Sequence, residues 1–210
     1  VNSDTEELDY QAQGGEIMGN HYGGDGGVQI GSFFRKLLYA LEMRDLNILI
    51  SGQINSQTKI LYHRDIQLRI NSVMPFLGLD KDPYLVVADG NLVWIQDAYT
   101  FSNRFPYSSK TESGIDYPYW ENVKFNYVRN SVKIVVDAYS GKMYVYIWDN
   151  SDPLIRAYKN IFPDLFLDKN QMSQLINEHV RYPQDIFSIQ SRKFLKFHMR
   201  NTLDFYNLED

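Results

Sequence analysis

"YLVVADGNLVWIQDAYT" (84–100) and "VKIVVDAYSGKMYVYIWD" (132–149) decide the fold class. Each sets two runs rich in Val, Ile, Tyr and Trp about a polar turn, Asp89-Gly90-Asn91 in the first and Ser140-Gly141-Lys142 in the second. β-Branched and aromatic side chains suit a pleated, half-buried surface, and Asp-Gly tolerates the positive φ of tight turns, so both stretches predict β-hairpins. They share "DAY", at 97–99 in the outgoing strand of the first and 137–139 in the incoming strand of the second, a hint of duplication at non-equivalent positions.

On either side of the hairpins the apolar period changes to that of a helix. Ser32 is a good N-cap for a helix carrying Phe33, Phe34, Leu37, Leu38 and Leu41 on one stripe. "LNILISG" (46–52) fits a short strand or a continuation of that helix. Tyr62, Ile66, Ile70, Val73 and Leu77 share a stripe, predicting a second helix over 57–74 that Pro75 ends. Downstream, Asp152-Pro153 is an N-cap and first-turn pair for a helix reaching Phe162. Met172, Leu175, Ile176, His179 and Val180 mark another, and Pro183 opens one through Met199. Residues 1–31 are polar and glycine-rich and read as an irregular arm, while 100–125 reads as a long loop. Helices, two hairpins and more helices give an α+β fold: antiparallel sheet from the two hairpins, packed with about five helices, in a single domain of 210 residues. No central parallel sheet is expected, and so no nucleotide crevice of the kind such sheets create.

Composition narrows the function classes. A hydrophobic share of 44% with 22% charged residues is that of a globular domain, and a chain of this length buries roughly 70% of its unfolded surface. There is no cysteine, which removes disulfides, thiolate nucleophiles and thiolate metal sites. The net charge of −5, with no basic block, argues against nucleic acid. No apolar run is long enough to span a bilayer, and no basic stretch followed by an apolar one marks a signal peptide; with Val1 first, the simplest reading is a piece of a longer protein.

The chemistry-bearing residues form no recognisable motif. Four glycines at 23, 24, 26 and 27 precede the first helix, but Gly31-Ser32-Phe33 lacks the lysine of a phosphate-binding loop, and the dinucleotide spacing fails as well. Positive φ or close backbone packing is the better use for them. His21, His63, His179 and His198 have no helical ligand spacing, and His179 reads as a hydrogen-bonded core imidazole. Asp80-Lys81-Asp82 and Asp149-Asn150-Ser151-Asp152 are oxygen-rich turns without the remaining EF-hand positions. Asp97 and Asp137 interrupt strands, which predicts salt bridges with Arg129, Arg104 or Arg156. No catalytic, cofactor-binding or metal residue is assigned, and no cofactor is expected. The best candidates for recognition are Tyr107, Tyr117, Tyr119 and Trp120, in "RFPYS" (104–108) and "DYPYW" (116–120), where flat rings with polar tips sit in a loop.

Several blocks in order, from "YGGDGGVQIGSFFRKLLYALEMRDLNILISGQINSQTKILYHRDIQLRINSVMPFLGLDKDPYLVVADGNLVWIQDAYTFSNRFPYS" through "NYVRNSVKIVVDAYSGKMYVYIWDNSDPLIRAYKNIFPDLF" and "HVRYPQDIFSIQ" to "FHM" and "DFYN", resemble the soluble portion of a large uncharacterised (UPF-type) bacterial multipass membrane protein family. The resemblance covers nearly the whole chain. It implies a domain outside the cytoplasm at the cell membrane, tied to the protein's own transmembrane helices and to another envelope protein. The second hairpin followed by Asp152-Pro153 also resembles the helix-and-hairpin unit of PepSY-type extracytoplasmic domains, which bind or restrain partner proteins. The expected role is therefore a binding or assembly module. The alternatives are a cell-envelope hydrolase or lipid-modifying enzyme using Asp97, Asp137 and His63 or His179, and a carbohydrate-binding module using the four aromatic residues named above.

Overall fold

The computed structural model describes residues 1–5, 7–11, 13, 15–110 and 124–207. Backbone contacts gather the chain into two compact units, one of residues 1–64 with 139–141, the other of residues 65–138 with 142–210.

In the first unit β1 (Glu7–Gln11) pairs antiparallel with β2 (Ile17–Asn20), and β3 (Val28–Gln29) with β4 (Lys59–Ile60). The stretch read as an irregular arm thus holds three strands: β1, Glu-Leu-Asp-Tyr-Gln, does alternate polar and apolar residues, whereas β2 is broken by a glycine and β3 has two residues. Gly27 takes φ +88°, and a Cβ on Gly26 would run into the carbonyl oxygen of Ser140, so these glycines serve the turn and the close approach. Strand β4 and the positive φ of His63 also shorten the helix expected over 57–74. Helix α1 (Phe33–Met43) starts where Ser32 accepts a hydrogen bond from the Arg35 N–H and stops at Arg44 in the left-handed region. "LNILISG" resolves as a helical turn, α2 (Asn47–Ile50).

Most of the apolar stripe of α1 faces outward: Phe33, Phe34 and Leu41 are 71%, 67% and 65% exposed, while Leu37 is half-buried and Ala40, at the edge of the stripe, is buried. Among the described residues of this unit the buried apolar side chains are Tyr22, Ile30 and Ala40.

The second unit runs α3 (Ile66–Val73), β5 (Gly78–Leu79), β6 (Tyr84–Ala88), β7 (Asn91–Ser102), β8 (Tyr127–Asp137), β9 (Met143–Ile147), α4 (Pro153–Ile161), β10 (Phe166–Asp168), a 3₁₀ turn (Lys169–Gln171), α5 (Gln174–Glu178), α6 (Gln184–Phe197) and α7 (Thr202–Asn207). Both hairpins form. Ala88 pairs with Asn91 across Asp89 and Gly90, both at positive φ, which matches the twist of the flanking strands. The sheet runs β10-β9-β8-β7, with β5 and β6 both pairing β7. Its centre is antiparallel as expected, but β10 joins β9 in parallel after the α4 crossover, so the sheet is mixed. Three residues, Phe166-Leu167-Asp168, are too few to announce that strand in the sequence.

Helices cover both faces. Ala98, Val132, Ile134, Val136, Val145 and Ile147 pack with Ile70 and Met74 near α3 and with Ile155 of α4. On the other face Val93, Ile95, Val135 and Tyr146 meet Met172 and Ile176, while Ile186 and Ile189 of α6 pack against Tyr99 and Phe125. Asp65 caps α3, and Asp152 with Pro153 opens α4 as the sequence predicts.

Candidate functional site

Strands alternate their side chains, so the register decides which polar groups share a face. Asp97 on β7 lies directly opposite Lys133 on β8, and the two form a salt bridge with about 3% and 1% of their side chains exposed. Asn130 Nδ2 donates to Asp97 Oδ1 at 3.0 Å, and Lys133 Nζ lies 5.2 Å from the centre of the Trp148 ring. Burial raises the Asp97 carboxyl, opposed by Lys133 and Asn130. Burial likewise lowers the Lys133 ammonium, opposed by Asp97. Lys133 therefore supplies the cation expected from Arg129, Arg104 or Arg156; Arg129 pairs instead with Asp149 at 3.0 Å. A lysine inside "VKIVV" is masked by its apolar neighbours and becomes legible only once the strand register is known.

On the same side, Asp80 ties three elements together. Its Oδ2 accepts from the Tyr99 hydroxyl and from the Asp185 N–H (2.9 Å), its Oδ1 accepts from the Asp82 N–H (3.0 Å), and its carbonyl accepts from Gln96 Nε2 (2.7 Å). Asp185, in the first turn of α6, accepts from the Lys81 N–H at 3.1 Å. Burial, then the nearby Asp80, pushes the Asp185 carboxyl up to about 6. Burial and the bond to Asp80 push the Tyr99 hydroxyl up as well. The Asp80-Lys81-Asp82 turn thus anchors α6. No local pattern links Asp80 to Asp185 across 105 positions.

Asp152 is fully buried and does more than cap α4. It accepts from Thr100, from Ser131 (2.6 Å), from the Tyr127 hydroxyl (2.7 Å) and from the Leu154 N–H (3.0 Å). Burial alone would raise its carboxyl, but these donors outweigh it and hold the group below the ordinary carboxylate range. Asp149 accepts from the Ser151 N–H and hydroxyl.

The other candidate residues do not converge on these groups. Asp137 pairs with Val93, four positions along the ladder from the Asp97–Lys133 pair, so the two carboxylates stand about 13 Å apart at the strand rise. That exceeds the roughly 5–9.5 Å of a hydrolytic carboxylate pair. His63 belongs to the first unit, beside Tyr62. His179 is exposed at the end of α5, its Nδ1 2.7 Å from the Leu175 carbonyl, and is not a core imidazole: the five-residue helix turns that position outward. Tyr107 is fully exposed at φ 55°, beside a loop that Asn126 clamps by bonds to Phe105 and Ser108. Tyr117, Tyr119 and Trp120 lie outside the described residues. Among the described residues no three His, Asp or Glu side chains gather to hold a metal, and no helix is long and apolar enough to cross a membrane.

A cleft of about 580 Å³ opens in the second unit between Asn150, Asp168, Lys169, Asn170, Gln174 and Asn177. Lys169 Nζ sits 3.5 Å from the centre of the Trp148 ring. Met172 also lines the cleft, so its wall is partly apolar. All but Asn150 lie within the continuous stretch 168–177, whose polar residues form no motif that marks a cleft.

The profile of the uncharacterised protein family UPF0182 matches residues 1–210. Similar proteins include a UPF0182 protein of Pelotomaculum thermopropionicum, 41% identical over 210 residues that make up all of this chain and 22% of that protein. One of Trichodesmium erythraeum is 43% identical over 98% of this chain and 23% of its own length. One of Salinibacter ruber is 44% identical over all of this chain and 21% of its own length. No solved structure is significantly similar to this chain.

Proposed function

Since this chain belongs to the uncharacterised protein family UPF0182 and spans about a fifth of the length of the curated relatives it matches, we propose that it is a binding and assembly module of a larger membrane protein, held outside the cytoplasm. The observation that carries the reading is the outward apolar stripe of α1. Phe33, Phe34, Leu38 and Leu41 are each at least half exposed, and Leu46 and Ile50 beyond the helix are 69% and 75% exposed. Contiguous apolar surface of this kind marks an interaction site, and a unit with so few buried residues needs a partner to complete its core.

The proposed occupant is the remainder of the same full-length protein, because nearly four-fifths of each relative's length lies beyond the region matched here. The envelope placement rests on the ordered sequence blocks that resemble multipass membrane proteins. Asp97, Asp80 and Asp152 keep a structural role in this reading, since each already accepts donors from the protein itself.

A photo-crosslinker at Leu38 in the full-length protein, purified from its membrane, tests the assignment. Internal crosslinks to sequence outside these 210 residues support it. Absence of such crosslinks, or crosslinks only to a different protein, overturns internal docking.

A further inference from the structure

Helix α6 changes character along its length. Its first half is anchored: Asp185 is buried against Asp80, and Ile186 and Ile189 pack onto Tyr99 and Phe125. Two turns later the side that carried those isoleucines presents Lys193, which is exposed, so no core lies beneath it. The apolar residues of the second half stand elsewhere: Phe194, Leu195 and Phe197 are 69%, 55% and 63% exposed. Phe197 reaches α7 through Phe205, their ring centres 6.1 Å apart.

At roughly 100° per residue, Phe197, Phe194 and Leu195 span an apolar arc of about 160°, with Lys193 about 40° beyond its Phe197 edge and Arg192 about 60° beyond its Leu195 edge. The stretch 192–200, "RKFLKFHMR", contains no acid, although the chain as a whole carries a net charge of −5. Arg200 is exposed as well. Exposed aromatic side chains between basic flanks have the chemistry of a helix lying in a bilayer interface: the rings enter the acyl boundary, and the cations reach the phosphates.

We propose that the second half of α6, with α7, docks onto an anionic phospholipid surface through Phe194, Leu195 and Phe197, with Arg192 and Lys193 on the headgroups. This inference does not rest on the role assigned to α1. A protein partner would meet the same apolar arc, but the local excess of positive charge in an acidic chain favours the anionic lipid.

Flotation of the 210-residue chain with vesicles of phosphatidylcholine, with or without phosphatidylglycerol, tests it. Binding is expected on the phosphatidylglycerol vesicles and to weaken as salt rises. Arg192→Gln with Lys193→Gln lowers the partition coefficient about tenfold or more, and Phe194→Ser with Phe197→Ser does the same. Phe33→Ser with Leu41→Ser leaves it unchanged, which separates this surface from the α1 face. Equal binding to neutral vesicles, no binding, or binding indifferent to both α6 double variants overturns the proposal. So does a concentration-dependent dimer that Phe194→Ser with Phe197→Ser abolishes in the absence of vesicle binding, which would assign the arc to a second copy.

Discussion

The central strands of the second unit and helix α1 of the first treat their apolar residues in opposite ways. In the second, the central strands β7 and β8 are buried on both faces, and even their polar members, Asp97, Lys133, Gln96 and Thr100, are enclosed and partnered. In the first, the best-formed helix turns Phe33, Phe34, Leu38 and Leu41 to solvent. A strand pair covered on both sides has completed its packing; an amphipathic helix with its stripe outward has not. The difference separates a finished core from a helix face still open to a partner, and the end of α6 in the second unit shares the openness of α1.

Removing one member of the buried pair attacks the built part most severely. Lys133→Ala leaves Asp97 enclosed without its cation and is expected to cost about 3 kcal/mol in chemical denaturation, with Asp97→Ala combined with Lys133→Met regaining most of the loss.

A smaller effect comes from pH. Folded Asp185 keeps its proton up to about 6, whereas an unfolded aspartate releases it near 3.8. Between those values the folded state binds more protons, so stability falls as pH rises through the window, by ~2 kcal/mol. Asp97, also raised, adds to the same trend. Asp152, lowered, acts in the other direction: its contribution is present above the ordinary carboxylate value and is lost only as the pH falls further. Denaturation midpoints measured across pH should show the decline, and Asp185→Asn should flatten it. The smallest effect belongs to the exposed stripe. Phe34→Ser with Leu41→Ser should alter the stability of the isolated chain by no more than about 0.5 kcal/mol, as surface changes do. A large loss there would erase the contrast between the units.

What was legible in the sequence follows the range of the physics. Local signals were sufficient for both hairpins, for the Ser32 and Asp152 caps and for the helix after Pro183, because turn geometry and capping involve residues only a few positions apart. The strand β10 and the strand pair β3–β4 were not legible, since segments of two or three residues are strands only by virtue of a distant partner. The α1 stripe was read correctly as a helix face, but periodicity does not say whether that face looks inward. Asp97 stood out as anomalous while its partner did not, because a lysine amid valines reveals nothing until Asp97 is placed opposite it. The cleft near Lys169 is lined mainly by one stretch, 168–177, and its concavity, unlike its composition, has no sequence signal.

The central claim is that the outward face of α1 is covered in the complete protein. The chain contains no cysteine, so Phe34→Cys introduces a single thiol into it. Its rate of reaction with a maleimide, measured in the isolated chain and again in the full-length protein, tests that claim most directly. Rapid labelling of the isolated chain and labelling slowed by an order of magnitude or more in the full-length protein is the expected result; equal rates in both would contradict it.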